Sequence, residues 1–182
     1  MDIIDIINLI VGFFKSEEEE DDDMEIKGVS DRDLFVKLAW KYVGKPYTWG
    51  GDDPVAGFDC SGLVCSCAKA VGALPRGKRL TADGLMRYFE EHKAVKLKKP
   101  VYGAVVFWGG KGGDLKKAIH VEICINDHIS IGASGGGSKV RNMVDAVKYN
   151  AFVKPRPIID SKKRPVIAIF DLFDRDGKCI VK

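Results

Sequence analysis

Cysteine and histidine are the residue types in this 182-residue chain that could be paired for nucleophilic chemistry. Cysteine occurs as Cys60, Cys65, Cys67, Cys124 and Cys179, and histidine as His92, His120 and His128. Cys60 stands in GFDCSGLV, after a glycine-rich loop and at the first turn of a predicted helix. The unpaired amides of such a turn favour an anion, so a thiolate there is expected at a lowered pKa. Asp59 is placed to cap the helix, and Ser61 and Gly62 keep the turn small and open. Cys65 and Cys67 lie deeper in the same helix without that help. With Cys124 and Cys179 they read as ordinary reduced cysteines. Their odd number does not suggest a disulfide scaffold, and one residue between Cys65 and Cys67 is not a zinc spacing.

A thiol nucleophile needs a base. His92 ends a charged helix and His128 follows the turn residues Asn126 and Asp127, so both read as solvated. His120 lies in the apolar run IHVEICI. If Ile119, Val121, Ile123 and Ile125 face one side of a strand, His120 shares the other with Glu122 and Cys124. Alone, His120 would read as a satisfied histidine on a half-buried strand. Set against a cysteine at a helix start, it becomes the expected base.

The elements that must position this pair follow from pattern. Ser30 caps a helix with Asp31 and Asp33 in its first turn, and Leu34, Phe35, Leu38, Ala39 and Tyr42 fall on one face. Gly44 ends it and Pro46 prevents its resumption. Residues 47–58 form a loop rich in Gly, Asp and Pro. A second helix runs from about Cys60 to Val71 and a third from about Ala82 to His92. Strand texture then takes over at 103–108, 119–125, 129–133, 153–159 and 166–173. Gly135 to Ser138 is a loop without the spacing of a phosphate-binding motif. Helices first and an antiparallel sheet afterwards make the class α+β.

Composition bounds the rest. Hydrophobic content of 46% with 30% charged residues suits a folded domain. Residues 2–15 read as a short amphipathic helix that docks on a protein partner, and 16–29 as an acidic flexible linker. The folded domain is expected over 30–182. The apolar stretch from Ile3 to Phe14 is too short to span a membrane and lacks the positive flank of a signal peptide. Residues 1–25 hold ten acids against Lys15, about −9, which leaves +12 for the remainder of a chain of net charge +3. A basic body favours anionic partners. The lysines are scattered without a nucleic-acid fold signature, so no nucleic acid is expected.

The run PYTWGGDDPVAGFDCSGLV, followed by LPRG, GAVVFW and HVEICIND, resembles the NlpC family of papain-like cell-wall endopeptidases over residues 32 to 158. The resemblance implies a papain-like fold, with N-terminal helices packed on an antiparallel sheet and no metal or cofactor. It implies Cys60 as nucleophile and His120 as base, then acid toward the leaving amine. Tyr47 matches a loop tyrosine near the thiolate that helps hold the oxyanion, with the Cys60 amide as another donor. Asp59 and Ser61 match residues that help bind the free amino end of the substrate. The implied substrate is a peptidoglycan stem peptide, cut between D-glutamate and a diamino acid.

One position departs from the family. A third polar residue, often histidine, orients the imidazole from the strand after the base. Aligning IGAS with that segment puts Gly132 there, which has no side chain for the task. A one-step change of register offers Ser130 or Ser134 instead, and a water or a backbone carbonyl could serve. The C-terminal stretch 159–182 is an extra strand-like tail of the kind seen in phage-encoded members. It hints at a virion tail or a lysis system; the compartment is left open between a virion-associated protein and one held in the cytoplasm until lysis, acting in either case at the wall. Two rivals stand beside hydrolysis of wall peptides. One is another thiol amidase or acyltransferase on the same fold, and the other is a catalytically impaired wall-binding or phage-tail structural module.

Overall fold

Ser30 starts the first helix among the described residues, where its hydroxyl oxygen accepts the Asp33 amide at 3.1 Å. The computed structural model describes residues 28–110 and 115–181. The expected N-terminal helix, and the acidic linker up to residue 27, lie outside the described residues. Helix α1 spans Asp31–Lys41 and buries Phe35, Val36 and Ala39. Leu34, expected inward, is 37% exposed, and Val36 is buried in its place. The C-terminal segment flanks this helix. It lies along α1, with Phe173 against Phe35 at 5.6 Å between ring centroids. It is tied there by the Arg32 amide to the Gly177 carbonyl and by the Cys179 amide to the Asp31 carboxylate, both at 3.0 Å.

Helix α2 spans Cys60–Ala70, and its buried residues run around most of its circumference, from Ser61 to Ala68. A helix apolar on most sides belongs at the centre of a fold. Helix α3, Ala82–Glu91, is capped by Thr81 and buries Leu85, Met86, Tyr88 and Phe89. The short helix α4, Met143–Lys148, was not expected from the sequence. Its six residues bury Ala146 alone, so no apolar stripe announces it.

The strands are β1 Asp52–Asp53, β2 Gly57–Phe58, β3 Val95–Lys96, β4 Val105–Gly109, β5 Ala118–Cys124, β6 Ile129–Ser134, β7 Phe152–Pro157 and β8 Val166–Asp171. β1 and β2 make a small hairpin in the loop before α2. The other six form one antiparallel sheet in the order β3-β8-β4-β5-β6-β7. β8, from the C-terminal tail, is inserted between β3 and β4 rather than added at an edge. One face of the sheet meets the helices: Phe107, Val121, Ile123, Ile131 and Phe170 join Leu63, Leu85 and Phe89 in the main core. The alternate residues Val106, Trp108, Cys124 and Ile169 form a smaller cluster on the other face. This is the α+β architecture expected.

Candidate active site

Asp59 builds the entrance to α2. Its Oδ1 accepts the Gly62 amide at 2.7 Å, and its Oδ2 accepts the Gly50 amide at 3.1 Å. Its own amide donates to the Gly51 carbonyl at 2.9 Å. These bonds clamp the glycine-rich loop onto the first helical turn, so Cys60 is presented at a fixed place. The same loop carries Tyr47, which is buried with 4% exposure and held by its amide to the Ala151 carbonyl at 2.9 Å.

β5 supplies His120. β5 pairs with β4 from Ala118 to Ile123, but with β6 its ladder covers only Ile123 and Cys124. The strands part beside His120, and α2 enters there. The backbone amides of Val121 and Ser61 lie against the Cys60 sulfur and favour its anion. The nucleophile candidate thus meets β5 at the residue next to His120. The imidazole is buried, with its ring centroid 5.5 Å from that of Trp108.

The imidazole has a hydrogen-bond partner to which the sequence reading gave no role. His120 Nε2 lies 2.7 Å from Oε1 of Glu122, two residues along the same strand. The Ser130 hydroxyl donates to Oε2 of Glu122 at 2.6 Å. Ser130 therefore stands one bond behind the imidazole. Ser134 ends β6, where its carbonyl accepts Arg156 Nη2 at 3.3 Å. A Cβ at Gly132 would come within 2.3 Å of Glu122 Cγ, so the carboxylate side chain fills the space that glycine leaves. The shared strand face of His120 and Glu122 was legible, but the contact was not.

The electrostatics differ from the expectation for Cys60. Burial, with the Asp59 and Glu122 charges added, pushes its thiol up to about 11 against the pull of the amides. Burial likewise holds His120 below the ordinary imidazole value, although Glu122 draws it back up and Arg156 and Arg164 push it down. Glu122 is held below the usual glutamate value by its bonds to His120 and Ser130 and by the charge of Arg156. The unliganded site thus contains a thiol, a neutral imidazole and a carboxylate. Tyr47 is raised by burial and by Cys60 and Asp59, and keeps its proton.

Arg79 is a second residue that sequence reasoning missed. Its Nη2 reaches Asp59 Oδ1 at 2.7 Å and its Nη1 reaches the Ser61 hydroxyl at 3.1 Å, while Nη1 also donates to the Leu80 carbonyl. Asp59 and Ser61 are therefore joined through one guanidinium. Beyond Glu122 lies a cleft of about 190 Å³ lined by Trp108, Glu122, Arg156, Pro157, Ile159 and Arg164. Among the described residues no cluster of three His, Cys, Asp or Glu side chains could hold a metal ion.

A cysteine on a helix start, wedged where two strands part beside a buried histidine, can be compared with known proteins. Residues 44–156 match the NlpC/P60 family. A bifunctional muramidase/DL-endopeptidase of Bacillus subtilis, CwlT, is 46% identical over 90 residues, which cover 47% of this chain and 24% of that protein. This chain thus corresponds to about a quarter of that relative. NlpC2 from Trichomonas vaginalis shares the fold at a TM-score of 0.58 and 18% identity, over 81% of this chain and 49% of that one. RipD from Mycobacterium tuberculosis, described as a non-catalytic NlpC/p60 domain protein adapted to peptidoglycan binding, matches at a TM-score of 0.50 and 14% identity, over 79% and 98% of the two chains. These two likenesses concern the fold alone. The family match covers well over half of the chain and includes Tyr47, Cys60 and His120, and on that ground the chain belongs to the NlpC/P60 family.

Proposed function

We propose that this protein is a cysteine endopeptidase that hydrolyses an amide bond in peptidoglycan stem peptides, between D-glutamate and the diamino acid. The observation that carries the proposal is the meeting of the Cys60 sulfur with the Val121 amide, beside His120, within a chain of this family. With both groups neutral at rest, His120 takes the thiol proton as Cys60 Sγ attacks the scissile carbonyl. The Tyr47 hydroxyl and the Cys60 amide donate to the oxyanion. The imidazolium then gives its proton to the leaving amine, and a thioester remains. His120 next deprotonates a water, which attacks the thioester carbonyl and frees Cys60 with the new carboxylate.

Asp59 and Ser61 are the candidates for holding the free amino end of the substrate. Asp59 is already joined to Gly62, Gly50 and Arg79, so an ammonium there would share the carboxylate with the guanidinium. Digestion of purified sacculi, and of stem peptides freed from the glycan by an amidase, tests the reading. The expected products are soluble fragments with a diamino acid as the new amino terminus, absent with Cys60→Ala. Sacculi and amidase-released stem peptides both left uncleaved by the wild-type protein would overturn it.

A wall-binding module without catalysis is the second reading. The raised Cys60 thiol favours it, because an unactivated sulfur is a poor nucleophile. Under that reading wild type and Cys60→Ala would sediment with sacculi equally and neither would release peptide.

A further inference from the structure

The strand after the base carries no side chain at Gly132, yet the imidazole of His120 is not unsupported. We infer that Glu122 is the positioning residue of His120, supplied from the base's own strand into the space that Gly132 leaves open. The inference rests on the peptidase reading for its consequence in catalysis, but the hold of Glu122 on the ring stands on geometry alone.

Alternate residues of a strand lie about 6.6 Å apart on one face. A glutamate at that distance is long enough to fold its carboxylate back onto the imidazole, and Oε1 reaches Nε2 at 2.7 Å. The fold-back needs room on the β6 side. A Cβ at position 132 would lie 2.3 Å from Glu122 Cγ and 2.4 Å from Cδ, so Glu122 in this pose and a side chain at 132 exclude one another. The carboxylate is itself aimed, because the Ser130 hydroxyl donates to Oε2 at 2.6 Å. Glu122 is 2% exposed and Ser130 fully buried, so neither bond competes with solvent.

Chemistry follows from the acceptor. An ionised carboxylate can only accept, so the neutral ring must carry its proton on Nε2 and leave Nδ1 bare. Nδ1 is then the nitrogen that takes the Cys60 proton, and the imidazolium formed is stabilised by the carboxylate behind it. The charged groups that act on the ring are Glu122 on β5, Arg164 before β8 and Arg156 on β7, and the Glu122 charge also reaches Cys60 at the start of α2. The two arginines offset the buried carboxylate, and Glu122 is the group that opposes their effect on the imidazole.

The test begins with nitrogen-15 NMR of the His120 ring in the full chain, titrated from pH 4 to 9, with His120→Gln used for assignment. The expected wild-type ring is protonated on Nε2 when neutral. In Glu122→Gln its pKa falls further, because the group that raises it is gone. Hydrolysis of sacculi in that variant is expected to drop about a hundredfold or more in kcat, with KM changed little. Glu122→Gly combined with Gly132→His moves the partner to the next strand and is expected to recover rate over Glu122→Gly alone. A wild-type ring protonated on Nδ1, or an unchanged His120 pKa and kcat in Glu122→Gln, would overturn the inference. If the wild-type protein cleaves neither sacculi nor amidase-released stem peptides, the peptidase reading fails, while the wild-type tautomer and the Glu122→Gln titration still decide whether Glu122 sets the ring.

Discussion

Gly62 sits so close to Gly51 that a Cβ on it would stand 1.9 Å from the Gly51 carbonyl oxygen. The first turn of α2 and the loop bearing Tyr47 are thus in backbone contact, and that contact sets where Cys60 faces. Gly62→Ala should displace the loop and cost about 1–3 kcal/mol of stability. Denaturant unfolding reads the cost. Sacculus hydrolysis should fall by more than the unfolded fraction explains, because the Tyr47 hydroxyl moves with the loop.

The cysteines should differ in reactivity. Cys65, Cys67 and Cys124 are fully buried, whereas Cys60 and Cys179 are half-buried. Limiting iodoacetamide on the native protein should label Cys60 and Cys179 first, as read by peptide mapping. With its thiol pushed up to about 11, Cys60 should still react faster with each step in pH above 8. A plateau below pH 7 would show that His120 already holds the proton in the resting protein.

The acid limb of kcat/KM should lie below pH 6.5. The proposed base, His120, would act only when neutral, and burial keeps it neutral to lower pH than a free imidazole. Stability should respond in the same direction. An unfolded chain protonates His120 at about 6.5 and Glu122 at about 4.5 before the folded one does. Stability is therefore lost as pH falls below 6.5 and further as it falls through the lowered Glu122 value. Calorimetry from pH 7 to 4 should show the decline, and His120→Gln should remove its upper part. The same variant should slow hydrolysis about a thousandfold or more.

Arg79→Lys should not be a mild change. The guanidinium reaches Asp59, Ser61 and the Leu80 carbonyl together, and an ammonium cannot span all three. A loss of about 1–3 kcal/mol is expected for this partly exposed cluster. KM for wall peptides should rise as Asp59 and Ser61 lose their common anchor. A thermal shift beside Michaelis kinetics separates the two effects.

Much of this protein is written locally and was readable as such. Ser30, Asp59 and Thr81 cap helices with side-chain oxygens within three residues, and β4 and β5 show their type through apolar runs. A cysteine after a capping aspartate and a histidine in an alternating strand were visible for the same reason. Each depends on neighbours in sequence, and propensity and periodicity report on neighbours.

Tertiary structure decided what depends on distant chain. The tail strand β8 lies between β3 and β4 and pairs with both, which no local pattern states. Residues some 140 positions away pack on α1 at Asp31, Arg32 and Phe35. Helix α2 suggests a depressed Cys60 thiol, but burial and the carboxylates of Asp59 and Glu122 raise it. Arg79 reaches the cap from beyond the far end of α2. Glu122 could be placed on the face of His120 from alternation alone. That its carboxylate turns back to Nε2 follows from the emptiness at Gly132 and the hydroxyl of Ser130, both on another strand, and packing between strands is what a linear pattern does not record.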